Sequence, residues 1–155
     1  YLNAPIYISE SHVRDYMLRV QSNKGVFDLM RKCSIILTGI GSLETSERGK
    51  WYTYQTPEHV RQLQVNQAAG SICAQYYDIQ GNAVASTWND NCIAMPLEEI
   101  RQNRLTVGIA SGISRSDAIL GALRGGLVNV LISDTETVTE VLRRHKKIPK
   151  KKSLL

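Results

Sequence analysis

The sequence predicts an α/β fold, a three-layer arrangement in which a mostly parallel sheet is flanked by helices. Three observations predict it. The stretch Arg104–Asp134 reads as apolar run, Gly/Ser turn, amphipathic helix, Gly pair and second apolar run, which is the pattern of a βαβ unit with parallel strands. Cys33–Thr38 (CSIILT) is an unbroken apolar run of strand length. Over the rest of the chain, short β-branched runs alternate with segments of helical period. At 155 residues the chain suits one domain with a core of its own.

In chain order, Leu2, Ile6 and Ile8 form an extended segment around Pro5. Ser9 or Ser11 then caps a helix carrying Val13, Met17, Leu18 and Val20, and Ser22-Asn23 begins another with Val26, Phe27, Leu29 and Met30 as its buried face. Cys33–Thr38 reads as a strand covered on both faces, followed by the flexible turn Gly39-Ile40-Gly41-Ser42. Leu43–Gln55, polar with Trp51, Tyr52 and Tyr54 near its end, reads as a mobile surface loop. Thr56-Pro57-Glu58 opens a helix with Pro where its missing N–H costs nothing. A further helix is expected over Gln67–Tyr76, eased by Gly70, and then a hairpin over Tyr77–Val84 around Gly81-Asn82.

Trp88–Asn91 reads as loop, Cys92–Met95 as a short strand, and Pro96-Leu97-Glu98-Glu99 as the start of a brief helix with acids where its dipole favours them. In the central unit, Val107 and Ile109 lie on the first strand and Val128, Val130 and Ile132 on the second. Ile119, Leu120 and Leu123 line the helix between them, and Gly125-Gly126 end it with a left-handed cap. Ser114-Arg115-Ser116-Asp117 has the Ser-x-x-acid form of a capping box. Asp134-Thr135 caps a last helix through Val138, Val141 and Leu142.

The net charge of +5 is a property of the tail. RRHKKIPKKKSLL, from Arg143, holds seven of the 19 basic residues and no acid, leaving 12 basic residues against 14 acids before it, a net of −2. Residues 1–142 are therefore read as the domain and 143–155 as a basic, disordered tail. No apolar run approaches the ~18 residues of a membrane helix and no signal-peptide pattern opens the chain. Cys33, Cys73 and Cys92 show no CxxC spacing and read as reduced, mostly buried thiols of a cytoplasmic protein.

Several chemistries are excluded by spacing. His12, His59 and His145 are scattered and read as surface residues, so neither a metal nor a histidine-based nucleophile is expected. Gly49-Lys50 fails as a phosphate loop because Glu44 stands at the first required glycine and Trp51 at the Ser/Thr. Gly39-x-Gly41 lacks the third glycine of a dinucleotide fingerprint. In an open parallel sheet, ligands sit beyond the C-terminal ends of strands, where two loops qualify here: Gly39–Ser42 and Ser111–Arg115. Arg115, at a helix start among Ser111, Gly112 and Ser114, suits a phosphate, and an Arg beside a cap is an equal alternative. Asp78 reads more simply as a turn residue and Asp134 as a cap.

The succession Gly39-Ile40-Gly41-Ser42, AAGSICAQYYDIQGN and GIASGISRSDAILGALRGGLVNVLISDTET resembles the C-terminal sugar-binding (effector) domain of SorC-type bacterial transcriptional regulators, over about Ala4 to Leu142. That resemblance implies a fold akin to ribose-phosphate isomerases and glucosamine-phosphate deaminases. It implies a phosphorylated sugar or related metabolite bound without turnover or cofactor, and homo-oligomers whose state and DNA affinity the ligand alters. DNA would be read by an N-terminal helix-turn-helix outside this chain, and no membrane is involved. The chain would then be the C-terminal portion of an effector domain whose first half carries a Gly-rich phosphate loop.

By position, Arg115 stands where the family usually has Lys, and Ser71 where it usually has an acid gripping ligand hydroxyls. Ser111-Gly112 replaces a usual Gly-Gly, Val138 a usual Ala, and Asp78 with Gly81 matches a D-x-x-G hairpin. The ligand-contact candidates are Gly39, Ile40, Gly41, Ser42, Ser71, Gly112 and Arg115; Asn23–Arg31 and Tyr52–Tyr54 are candidate subunit surfaces. A sugar-phosphate isomerase or deaminase on the same scaffold is the enzyme alternative, against which no poised carboxylate–His or Lys pair is evident. Nucleic-acid binding by the basic tail is a third reading.

Overall fold

Apolar β-branched runs joined by a helix can bury both of their faces only by packing side by side, and the computed structural model of the chain shows this arrangement. It describes residues 1–43 and 55–147. Strands β1 (Ile35–Gly39), β4 (Leu105–Ile109) and β5 (Val130–Ile132) form a parallel sheet in the order β1-β4-β5. Ile35 pairs with Leu105, and Leu37 with Val107, which pairs in turn with Val130. The ladder continues past the strands: Ile40 N–H donates to Ile109 O (3.3 Å) and Ala110 N–H to Ile132 O (3.1 Å).

Helices flank this sheet. In chain order they are α1 (Ser11–Arg19), α2 (Gln21–Lys32), α3 (Pro57–Val65), α4 (Thr87–Asn91), α5 (Leu97–Arg101), α6 (Ser116–Arg124) and α7 (Thr135–Lys147). The main core lies between one sheet face and α6, where Ile119, Leu120 and Leu127 pack with Leu97, Ile100 and Ile72. α6 ends as its glycines predict: Gly126 is left-handed (φ 65°) and Leu127 N–H donates to Ala122 O at 2.9 Å.

The close approach of α6 to the Asp78–Asn82 turn explains its glycines. A β-carbon at Gly81, itself left-handed (φ 81°), would stand 2.4 Å from Gly125 Cα and 2.7 Å from Gly121 O. Arg101 closes this contact by donating from Nε to Gly125 O (2.6 Å) and from Nη2 to Gly81 O (2.8 Å). Asp78 holds the turn itself, accepting from the Gln80 and Asn82 amides at 2.8 and 2.9 Å.

Several expectations are corrected. Gln67–Tyr76 is not a helix: β2 (Gly70–Ile72) and β3 (Gln75–Tyr77) form an antiparallel hairpin. Its two-residue turn is made by Cys73 and Ala74, both left-handed (φ 49° and 64°), without the Asn or Gly that would announce it. β1 is an edge strand covered on one face, with Ile35 and Leu37 exposed. Leu29 is exposed on α2, whose buried residues are Asn23 and Phe27.

The N-cap of α1 is Glu10, not Ser9 or Ser11. Residues 87–91 are helical, because Ser86 accepts from the Asn89 amide as N-cap. Cys92–Met95 contributes only one bridge, Cys92 to Tyr7 of the extended N-terminal segment. Cys33 and Cys73 are exposed and only Cys92 is buried. The last helix runs to Lys147, five residues into the stretch read as tail, because Arg143 and Arg144 pair with Glu140 and Arg144 also with Asp117. The loop predicted after Leu43, including Gly49-Lys50 and Tyr52–Tyr54, lies outside the described residues, as does the rest of the tail.

His59 is the remaining correction, since it is buried rather than a surface residue. It fills the place usually held by Glu or Gln in a capping box. Thr56 N–H donates to its Nδ1 (3.1 Å), and its own N–H donates to Thr56 Oγ1 (3.3 Å). With Nδ1 accepting, the neutral ring carries its proton on Nε2, 3.0 Å from the Tyr7 hydroxyl. Tyr7 stacks on Trp88 at 4.9 Å, so the imidazole ties the N-terminal segment to a second core of Leu63, Tyr76, Val84 and Trp88. Burial pushes its pKa below the ordinary histidine value.

Candidate functional site

Parallel strands send their following loops out at one end of the sheet. The turn after β1 and the loop after β4 therefore emerge side by side, one strand apart. The β2–β3 hairpin joins them, because Gly41 and Ser71 form an antiparallel bridge: Gly41 N–H donates to Ser71 O (3.0 Å) and Ser71 N–H to Gly41 O (2.9 Å). Gly39, Gly41, Ser71, Gly112 and Arg115 thus stand on elements that meet at this end.

What each can offer a ligand differs. Gly39 ends β1, and a β-carbon there would meet nothing closer than Ile109 O at 4.0 Å. Ile40 turns its side chain into the core against Gly108. The amide and carbonyl of Gly41 are spent on Ser71, and Ser42 is buried. Ser71 lies between the inward-facing Gly70 and Ile72, so its half-buried side chain points to the other face of the hairpin. There its hydroxyl bonds to no described residue.

The loop after β4 is fixed from α7. Gly112 adopts φ +102°, a conformation that only glycine takes readily. Its amide donates to Thr137 Oγ1 (2.8 Å) and to Asp134 Oδ2 (3.3 Å). Asp134 also accepts from the Thr137 amide (2.8 Å) and hydroxyl (2.6 Å), so the cap of α7 and the anchor of Gly112 are one cluster. The Thr137 hydroxyl, its amide and the Gly112 amide hold the Asp134 carboxyl below its ordinary pKa, so it is ionised at neutral pH. Thr137 is fully buried, and sequence reasoning missed it; its place three residues after the capping Asp was the available signal.

Beyond Gly112 the chain makes a 3₁₀ turn, Ile113–Arg115, so Arg115 rather than Ser114 becomes the N-cap of α6 and the expected capping box is not made. Asp117 instead pairs with Arg144 at 2.6 Å. The Arg115 guanidinium folds back over its own loop, Nη1 donating to Ser111 O, and no carboxylate among the described residues pairs with it. At the first position of α6, Ser116 is fully buried with an unpartnered hydroxyl. The arrangement is a cationic, hydroxyl-bearing cleft end with no acid free to act as a base, since the carboxylate of Asp134 is committed to Gly112 and Thr137. That suits holding an anion with hydroxyls and does not supply proton transfer.

Comparison with known proteins gives one family. A family model described as "Putative sugar-binding domain" matches residues 1–143. The sorbitol operon regulator of Klebsiella pneumoniae is 28% identical over 139 residues, covering 90% of this chain and 44% of its own length. The deoxyribonucleoside regulator of Bacillus subtilis is 27% identical over 137 residues, covering 88% and 44%. Among solved structures, a transcriptional regulator from Streptococcus pneumoniae TIGR4 superposes with a TM-score of 0.88 at 25% identity, covering 94% of this chain and 56% of that one. The chain spans about half the length of the curated relatives it matches.

Proposed function

The chain belongs to the sugar-binding domain family of SorC-type transcriptional regulators, and from that premise we propose that it senses a phosphorylated sugar at the C-terminal ends of β1 and β4. The ligand binds one arrangement of subunits better than another and shifts the population by that differential affinity. On this reading the protein is a cytoplasmic homo-oligomer that meets DNA through a separate domain and does not turn its ligand over. The observation that carries it is Arg115: a guanidinium at the head of α6, unpaired by any carboxylate among the described residues, beside the Gly41–Ser71 bridge. A phosphate takes the guanidinium's free donors, and the Ser71 hydroxyl is positioned for a sugar hydroxyl.

The test is calorimetric titration with pentose 5-phosphates, hexose 6-phosphates and the unphosphorylated parent sugars, with NMR of the sugar afterwards. Saturable binding of a phosphorylated member without product is expected, weakened roughly 10- to 150-fold by Arg115→Ala, the equivalent of about 1.5–3 kcal/mol for a charge-assisted bond. Equal affinity for the parent sugar, or an unaltered Arg115→Ala variant, removes the phosphate from the reading. Product formation moves it to the isomerase or deaminase class.

A further inference from the structure

The sheet has two unlike faces. Ile36, Thr106, Gly108 and Leu131 turn toward α6 and the core. The opposite face is three aligned rows: Ile35 with Leu105, Leu37 with Val107 and Val130, and Gly39 with Ile109 and Ile132. Every residue in those rows is apolar. Leu37 is 68% exposed, Ile35 59% and Ile132 53%. Scattered exposed leucines need no explanation, but a contiguous row-by-row patch on a parallel sheet does, because parallel sheets are covered on both faces.

We infer that this face is the seat of a second layer of amphipathic helix, supplied by polypeptide outside residues 1–155 in the protein's complete reading frame. Two observations select that occupant. The Streptococcus pneumoniae regulator reproduces this fold at a TM-score of 0.88, yet this chain fills only 56% of it, so a protein of this fold carries further chain sufficient for another layer. A second copy is the poorer fit, since the five exposed side chains of the face (Ile35, Leu37, Ile109, Val130 and Ile132) offer roughly 500 Å², short of the about 800 Å² that each partner of a stable dimer buries. β1 is also an edge strand, so the added chain has a free backbone ladder beside the apolar rows. The inference rests on the family membership and not on the ligand.

Two proteins decide it: the 155-residue chain and the product of the complete reading frame, each with and without Leu37→Lys. In the 155-residue chain Leu37 stands in water, so the substitution leaves the melting temperature within about 2 °C. In the complete protein it places a charge inside a layer and lowers the melting temperature by roughly 10 °C. If the complete variant fails to fold, the unsubstituted pair serves: 8-anilinonaphthalene-1-sulfonate fluoresces several-fold more strongly with the 155-residue chain than with the complete protein. A complete protein that tolerates Leu37→Lys and binds the dye as strongly overturns the inference. So does a reading frame that adds no chain, or a dimer of the 155-residue chain that Leu37→Lys dissolves. No sugar phosphate enters these measurements, so their failure is separate from failure of the ligand reading.

Discussion

Thr137→Val removes one oxygen from the middle of the Gly112–Asp134 cluster and changes little else, because valine has nearly the volume of threonine. The lost hydroxyl accepts from the Gly112 amide at 2.8 Å and donates to Asp134 at 2.6 Å, and the residue is fully buried. Gly112 keeps only the longer 3.3 Å contact to Asp134, and the carboxylate keeps the Thr137 amide. Leaving such groups under-bonded costs about 2 kcal/mol, within the 1–3 kcal/mol range for an unsatisfied buried polar group. For a domain of this size that lowers the melting temperature by roughly 4–8 °C. The sharper assay is amide exchange at Gly112, an exposed loop residue whose amide is nonetheless held. Its exchange quickens by roughly 30-fold if local opening carries the full cost. Thr137→Ser restores the hydroxyl and most of the protection. A Thr137→Val protein with wild-type protection at Gly112, or a Ser variant as labile as the Val, refutes the idea that α7 positions this loop through that hydroxyl.

The other predictions concern the scaffold. Gly81→Ala puts a β-carbon into the backbone of Gly125 at a left-handed position, combining steric overpacking with backbone strain; a loss of roughly 3–5 kcal/mol in urea unfolding is expected, and less than 1 kcal/mol would mean the turn shifts freely. Because burial depresses the His59 pKa, the unfolded state binds the proton more readily. Its contribution is therefore complete above the ordinary value of 6.5 and is lost as pH falls toward the depressed one, so the melting temperature drops between pH 7.5 and 5.5. His59→Gln keeps a capping-box residue that cannot titrate and flattens that step, and a persisting step would assign it elsewhere. Glu58 and Glu140 are lowered from 4.5 to about 2, by Arg61 and Arg143 respectively as the leading cause, so their stabilisation is present above pH 4.5 and is lost as pH falls toward 2. Salt weakens this acid-side loss, because both carboxylates are exposed.

The parts of the fold legible in the sequence are those where one local signal sufficed. Thr56-Pro57 opens α3, Asp134 caps α7, and the β4–α6–β5 unit follows from apolar period and a Gly pair. Misreadings came where a residue does an unusual job. Cys73 and Ala74 make a turn that glycine or asparagine normally makes, so the apolar stretch around them passes for helix. His59 replaces the Glu or Gln of a capping box, so it passes for a surface residue. Ser114 to Asp117 has the letters of a cap, but the 3₁₀ turn carries the helix start one residue further. An apolar run such as Cys33–Thr38 reports that a strand is hydrophobic and carries no information about how many neighbours cover it. The site was legible as two loops at strand ends. The Ser71 bridge to Gly41 and the Thr137 anchor of Gly112 are long-range pairings that no local pattern encodes.

The economy of this cleft bears on what it can be asked to do. The backbone groups of Gly41, Ser71 and Gly112 are spent within the protein, leaving few strong donors for a ligand. An enzyme on this end of the sheet would need a base and an acid tuned apart, and the ionised carboxylate there, Asp134, is immobilised by three hydrogen-bond donors. A sensor needs less. A coupling of 1–3 kcal/mol between ligand and assembly shifts affinities about 5- to 150-fold, and one guanidinium–phosphate contact supplies about 1.5–3 kcal/mol. On the proposed reading, an Arg115 contact made in only one arrangement of the subunits is therefore enough by itself to drive the response, provided its loop is rigid. The Asp134–Thr137 clamp makes it so: it joins the loop to α7, so a ligand pulling on Arg115 loads a thirteen-residue helix rather than a floppy segment.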